Sequence, residues 1–332
     1  MLIAKWCNLI LETIPMKTIY IFFVVLIVLF SGCSPSDSTS HLKMGSQTIL
    51  TSDTVKLSVK VGGKGPVCIY LHGGPGQDFL SFEKMGGANL EKCLTMVYLD
   101  QRGSGHSQNA KNYSLDRIVQ DVEELRLKLG VEKVYLLSHS FGGILAINYA
   151  LKYPEHLSGI IMANTIAHFM NPNQIKEQIE YGYRLLKKDT TINETDFKKL
   201  MNAAALVRKK LSEVHLGYKY IANDVNTIIK MDSIENSYKR TSDFGMTLFM
   251  PLMDSTKVQK YPEYFRDYAL LTSEIKTPAL IITGKDDRAV GPDYYKNYKF
   301  QNQKVVQLNG SHMLYYENNK GFMATICDFA KQ

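Results

Sequence analysis

Apolar and polar positions alternate over residues 54–61, placing Val55, Leu57, Val59 and Val61 on one face, the period of a half-buried β-strand. Two short apolar runs follow at 66–71 and 94–99, each ending in a Gly-rich or polar turn, and runs of that kind read as strands buried on both faces. The period then lengthens. Leu115, Ile118, Val122, Leu125 and Leu129 recur every three or four residues, with Ser114 placed to cap the helix start and Gly130 its end. The alternation continues with a strand at 133–137, a helix at 141–153, strands at 157–163, 279–283 and 305–308, and a helix at 321–330. This is the pattern of the α/β class, a mostly parallel sheet flanked by helices. Between residues 168 and 272 the rhythm breaks into helix-like sequence rich in Lys, Glu, Tyr and Met. That stretch predicts a helical lid inserted before strand 279–283 and lying over the sheet edge where such folds carry their sites.

Upstream, residues 19–30 form an unbroken apolar run, preceded by Met16-Lys17 and followed by Ser31-Gly32-Cys33. Spanning a bilayer takes about 20 residues, so the run has the length of a signal-peptide core. The small residues before Cys33 resemble a lipobox, where bacterial lipoprotein precursors are cut and the cysteine is lipidated, although Phe30 replaces the usual leucine. The expected organisation is a lipoprotein signal peptide at 1–32, with translation beginning at Met16, and a polar tether at 33–45. The α/β core follows at 46–167, the lid at 168–272, and the second part of the core at 273–332. The protein is thus expected to be exported and held on a membrane by lipid at Cys33, facing the periplasm or the cell surface; an uncleaved anchor helix is the alternative. Cys7 precedes the proposed start. Cys68, Cys93 and Cys327 remain and read as buried free thiols, with a Cys68–Cys93 disulfide as the alternative.

Composition narrows the function classes. The chain has 332 residues, 45% hydrophobic and 21% charged, which suits a soluble body with a large core rather than a disordered or polytopic membrane protein. The formal charge of +7 is spread thinly, and the densest basic clusters, Lys187-Lys188 and Arg208-Lys209-Lys210, read as solvated helix faces rather than a nucleic-acid footprint. Neither Gly62-Gly63-Lys64-Gly65-Pro66 nor Gly103-Ser104-Gly105 completes a phosphate loop, and no Cys/His cluster has metal-ligand spacing. No metal and no organic cofactor is expected.

The chemistry lies at strand ends. Strand 133–137 runs into Ser138-His139-Ser140-Phe141-Gly142-Gly143, followed at once by an apolar helix. A serine on such a turn has its hydroxyl pushed into the open beside a helix N-terminus, as in a nucleophile elbow. Ser138 stands where glycine is usual; serine is small enough to be tolerated there, with strain of the turn as the alternative. Beyond strand 279–283 comes Asp286-Asp287, and beyond strand 305–308 comes His312. In an open parallel sheet these carboxyl ends share one edge, so Ser140, Asp287 and His312 form a candidate triad in the order nucleophile, acid, histidine. One of the two aspartates is expected to cap the turn, and Asp287 is the preferred acid. A serine at the elbow excludes dehalogenase and epoxide-hydrolase chemistry, which needs an aspartate there.

At the end of an earlier strand stands His72-Gly73-Gly74-Pro75-Gly76, and later Asp100-Gln101-Arg102-Gly103-Ser104-Gly105-His106-Ser107. With these runs the sequence resembles the α/β-hydrolase family, specifically its proline iminopeptidase branch, whose members carry HGGPG and DQRGxGxS at these places. The resemblance covers about 55–167 and 278–330 and leaves the lid unmatched. It implies an oxyanion hole from Gly74 and Phe141, with Gly73 as the fallback donor, while Asp100 and Arg102 are expected to brace the surrounding loops. It also implies an aminopeptidase acting through an acyl-enzyme, with lid carboxylates holding the substrate's free amine. Glu177, Glu180, Glu213, Glu235 and Asp243 are available, and Glu235, in Ile234-Glu235-Asn236-Ser237-Tyr238, most resembles the family's lid segment. The family's lid tryptophans are absent, since the only Trp is Trp6 in the leader. Tyr181, Tyr218, Tyr238, Met246 and Met253 read as lid core, some of them available to line an apolar acyl site. Hydrolysis of a carboxylic ester or lactone is therefore the alternative activity, and a non-catalytic surface binding protein the alternative class.

Overall fold

The structure, a computed structural model, describes residues 43–254 and 256–331. The expected signal peptide, Cys33 and the expected tether up to residue 42 lie outside the described residues. Eight strands form one sheet: β1 (Gly45–Leu50), β2 (Lys56–Gly63), β3 (Val67–Leu71), β4 (Thr95–Leu99), β5 (Val134–His139), β6 (Leu157–Ala163), β7 (Ala279–Gly284) and β8 (Gln303–Leu308). Their spatial order is β1-β2-β4-β3-β5-β6-β7-β8. β1 and β2 pair antiparallel, as do β2 and β4, and every other pairing is parallel. The carboxyl ends of β3 to β8 therefore meet along one edge.

The helices follow the expected alternation. α1 (Leu80–Lys84) comes after β3, α2 (Leu115–Leu129) precedes β5, and α3 (Gly142–Lys152) joins β5 to β6. Four helices, α4 (Pro172–Leu185), α5 (Phe197–Glu213), α6 (Val225–Glu235) and α7 (Asp243–Met253), fall between β6 and β7; α8 (Leu314–Glu317) and α9 (Asn319–Phe329) follow β8. The caps read from sequence are in place: the Ser114 hydroxyl accepts from Arg117 N–H, and Gly130 ends α2 with φ 67°. Among the described residues no helix is long and apolar enough to cross a membrane.

Successive residues of the central strands point to opposite faces, so both faces must be covered. Ile69, Leu71, Val97 and Leu136 pack with α2 and α3, while Cys68, Tyr70, Met96 and Leu137 pack with Phe322, Ile326 and Phe329 of α9. Each such aliphatic or aromatic side chain contributes about 1.5–3 kcal/mol when fully buried. This two-sided burial is why these strands read as continuous apolar runs.

Gly45, the last residue of the expected tether, opens β1, an edge strand whose alternate residues Ser46, Thr48 and Leu50 are exposed. One expectation is corrected. Cys93 is neither a free thiol nor the partner of Cys68. It forms a disulfide with Cys327, 234 residues away, tying the segment before β4 to α9, while Cys68 alone is free and buried among the described residues. Closing so long a loop restricts the unfolded chain. Replacing both Cys93 and Cys327 by serine is expected to lower stability by about 2–5 kcal/mol, read as a lower urea midpoint than the oxidised parent.

Candidate active site

β5 ends at His139 and α3 begins at Gly142, so the chain turns over Ser140 and Phe141. Ser140 adopts φ 52°, a left-handed conformation that costs a non-glycine residue about 1–2 kcal/mol. Backbone bonds hold it there: its N–H donates to the Asn164 carbonyl at 3.1 Å, and its carbonyl accepts from Gly143 and Ile166 N–H at 3.1 Å each. A Cβ at Gly142 would lie 2.3 Å from the Leu71 carbonyl oxygen, and one at Gly73 would lie 2.7 Å from Ser140 Cβ. Glycine at both positions is what lets β3, the elbow and α3 approach so closely. Ser138 is tolerated: it stays in β5, fully buried, and its hydroxyl donates to the Ile161 carbonyl at 3.1 Å.

Asp287 and His312 arrive from the turns beyond β7 and β8. His312 Nδ1–H donates to Asp287 Oδ2 at 2.9 Å, which leaves the Nε2 lone pair free to accept a proton. The other oxygen, Asp287 Oδ1, accepts from Ala289 and Val290 N–H at 2.9 Å each. One of the two aspartates caps the turn, as expected, and it is the one that also holds the histidine. Asp287, fully buried, does both, while the Asp286 side chain is exposed and, among the described residues, accepts only the Asn223 side-chain amide at 3.3 Å. Ser140 and His312 line the same cavity, of about 220 Å³, together with Gly73 and Gly74. Among the described residues, the N–H groups of Gly74 and Phe141 donate no hydrogen bond and are free for an incoming oxygen.

Asn164, which no sequence motif marked, ties this edge together. Its amide nitrogen donates to the carbonyls of Ser311 and His312 at 2.9 and 3.0 Å, and its Oδ1 accepts from Gly284 N–H at 2.8 Å. The available signal was its place, one residue past the carboxyl end of β6. His139 packs, as expected: burial pushes its imidazole down to about 3, and its Nε2–H donates to the His312 carbonyl at 3.0 Å.

The two Gly-rich loops brace each other. His72 Nε2 accepts from Gln101 N–H at 3.1 Å and its Nδ1–H donates to the Gly73 carbonyl at 2.9 Å, which fixes one neutral tautomer; burial lowers its pKa to about 4. Asp100 accepts from Phe79 N–H at 3.1 Å and from His106 N–H at 2.9 Å, and burial raises its carboxyl to about 7. Arg102 is fully buried and forks onto Asp121 at 2.6 and 2.7 Å and onto Asp53 at 2.9 Å. Both side chains therefore sit as braces.

Of the lid carboxylates, Glu235 alone reaches the cavity of Ser140 and His312. Glu177 and Glu180 line a separate cavity, Glu213 is exposed, and Asp243 accepts from the Tyr113 hydroxyl. Glu235 is joined there by Asp78, which sequence reasoning missed because it follows the HGGPG run without belonging to it. Arg240 bridges the pair, reaching Glu235 at 2.6 Å and Asp78 at 3.0 Å. Two carboxylates thus face one guanidinium, and burial pushes the Glu235 carboxyl above its usual range. A second cavity, of about 570 Å³, also opens at Ser140 and Gly74 and runs under α4, α5 and α7.

This fold, with a serine on a strand-to-helix turn and an Asp–His pair at the same sheet edge, is that of a hydrolase. The chain belongs to the alpha/beta hydrolase fold family, whose family model matches residues 66–319. That range runs through the four helices between β6 and β7, which the sequence motifs left unmatched. A proline iminopeptidase of Saccharolobus solfataricus is 28% identical over 291 residues, covering 82% of this chain and 87% of that protein. A proline iminopeptidase of Elizabethkingia meningoseptica is 26% identical over 277 residues, covering 79% and 89%. In fold, the chain is similar to a proline iminopeptidase-related protein of Thermus thermophilus, with a TM-score of 0.67 at 19% identity over 87% of this chain and 97% of that one.

Proposed function

We propose that the protein is an aminopeptidase of proline iminopeptidase type, releasing N-terminal residues from peptides by a Ser140-His312-Asp287 triad. His312 Nε2 takes the Ser140 proton as Oγ attacks the substrate carbonyl, and Asp287 stabilises the resulting imidazolium. The carbonyl oxygen, now negative, receives the N–H groups of Gly74 and Phe141, each worth about 3–4 kcal/mol in such a position. His312 then gives its proton to the leaving amide nitrogen as the C–N bond breaks, leaving an acyl-enzyme. Water, deprotonated by His312, attacks the ester, and the proton returns to Ser140 as the amino acid departs.

One observation carries the peptide reading. Asp78 and Glu235 are two carboxylates against the single guanidinium of Arg240, in the cavity that holds Ser140 and His312. The free amine of a peptide, an ammonium, supplies the missing positive charge. On this account anilides with a free α-amine are cleaved and their N-acetylated counterparts are not. Glu235→Gln is expected to narrow that gap, costing the free-amine substrates about 1.5–3 kcal/mol of transition-state binding. Equal rates on free and acetylated substrates would contradict the assignment. The second reading, ester or lactone hydrolysis by the same machinery, is favoured by the 570 Å³ cavity, which suits an apolar acyl group and requires no amine.

The four helices between β6 and β7 act as the lid over this site. We further propose that the protein is an exported lipoprotein anchored through Cys33, a location in which the Cys93–Cys327 disulfide persists. Cys33→Ala is expected to move the protein from the membrane to the soluble fraction on cell fractionation; an unchanged membrane fraction would favour an uncleaved anchor helix.

A further inference from the structure

Both cavities begin at Ser140 and Gly74 and then diverge. In an acyl-enzyme the substrate carbonyl is fixed at this junction, and the Cα one bond away carries the amine and the side chain in different directions. The acidic branch takes the amine on the aminopeptidase reading, and the side chain is left with the other branch. That branch is walled by Ile166, Phe169, Met170, Met201, Phe249 and Leu252. The amide nitrogens of its two glutamines are already committed: Gln174 Nε2 donates to the carbonyls of Ala289 and Val290 at 2.9 and 2.8 Å. Gln178 Nε2 donates to the Ala289 carbonyl at 2.7 Å, and its Oε1 accepts from Arg208 at 2.7 Å. No carboxylate lines the branch, so a basic side chain finds no counter-charge, and its one charged wall residue, Arg208, is exposed.

We propose that this branch selects a bulky apolar N-terminal residue, aromatic or long aliphatic, over proline. The inference rests on the aminopeptidase reading and deepens it. At 570 Å³ the cavity lies in the range that encloses a drug-sized ligand, and a pyrrolidine ring would touch only part of its wall. Larger side chains bury more surface against it, and Met170 and Met201 adjust to their shape.

The test is kcat/KM on the prolyl, alanyl, leucyl and phenylalanyl p-nitroanilides. Leucyl and phenylalanyl substrates are expected to exceed prolyl and alanyl ones by about tenfold or more, the discrimination that a few buried methylenes supply. Ala204→Phe, on α5, fills the branch and is expected to collapse the phenylalanyl-to-alanyl ratio, a readout that a general loss of folded protein leaves unmoved. Met201→Gln, similar in length but polar, shifts the ratio in the same direction and serves if the first variant does not fold. A preference for proline, or a ratio unmoved by both variants, would overturn the proposal. The two readings fail separately. Proline preference with an absolute need for the free amine removes this inference alone, whereas N-acetyl-phenylalanyl anilide cleaved as fast as the free form removes the aminopeptidase reading.

Discussion

Ser140→Ala is expected to lower kcat on the order of a millionfold, to the residue of catalysis that the oxyanion donors and substrate binding supply alone. The loss should come without unfolding. Ser140 is held by its backbone N–H and carbonyl, and the truncation leaves both in place. Single-turnover rates together with a thermal melt check both halves. Activity within tenfold of the parent, on protein with an unchanged melt, would contradict the role given to Ser140.

Asp287→Asn is expected to cost about 10⁴ in kcat, because the amide allows the fold but reverses the tautomer. Its remaining oxygen still accepts the N–H groups of Ala289 and Val290, so the turn stands. Its NH2 then faces His312 Nδ1, where the carboxylate now accepts. Nδ1 must accept instead, which puts the proton on Nε2 and removes the lone pair that Ser140 needs. Asp286→Asn meets only solvent and the Asn223 amide, and its kcat should stay near the parent's. A larger loss at Asp286 would move the acid by one position.

These two residues also show what the sequence discloses. Ser140, Asp287 and His312 were legible because each follows a short apolar run read as a strand, and parallel strands bring such ends to one edge. The central strands were legible for the same reason, since burial on both faces leaves no polar position to confuse the period. β1 was not, because an edge strand alternating Ser46, Thr48 and Leu50 toward solvent has little apolar signal. That Asp287 fills both roles was hidden, since spacing does not show that one carboxylate uses its two oxygens on different partners. Contacts between distant segments were hidden too: the Cys93–Cys327 disulfide, Asn164 beneath the histidine loop, and Arg240 beside Asp78 each join residues whose proximity follows only from the finished packing. Glu235 was legible through a faint family likeness, but its guanidinium partner and second carboxylate were not.

The triad assignment makes Ser140 the nucleophile and His312 its base. Its most direct test is covalent labelling of the folded protein with a fluorophosphonate probe, followed by intact-mass measurement and peptide mapping. A single adduct is expected, located on Ser140, absent in Ser140→Ala and strongly slowed in His312→Ala. An adduct on another residue, or full hydrolytic activity in protein whose Ser140 is quantitatively labelled, would contradict it.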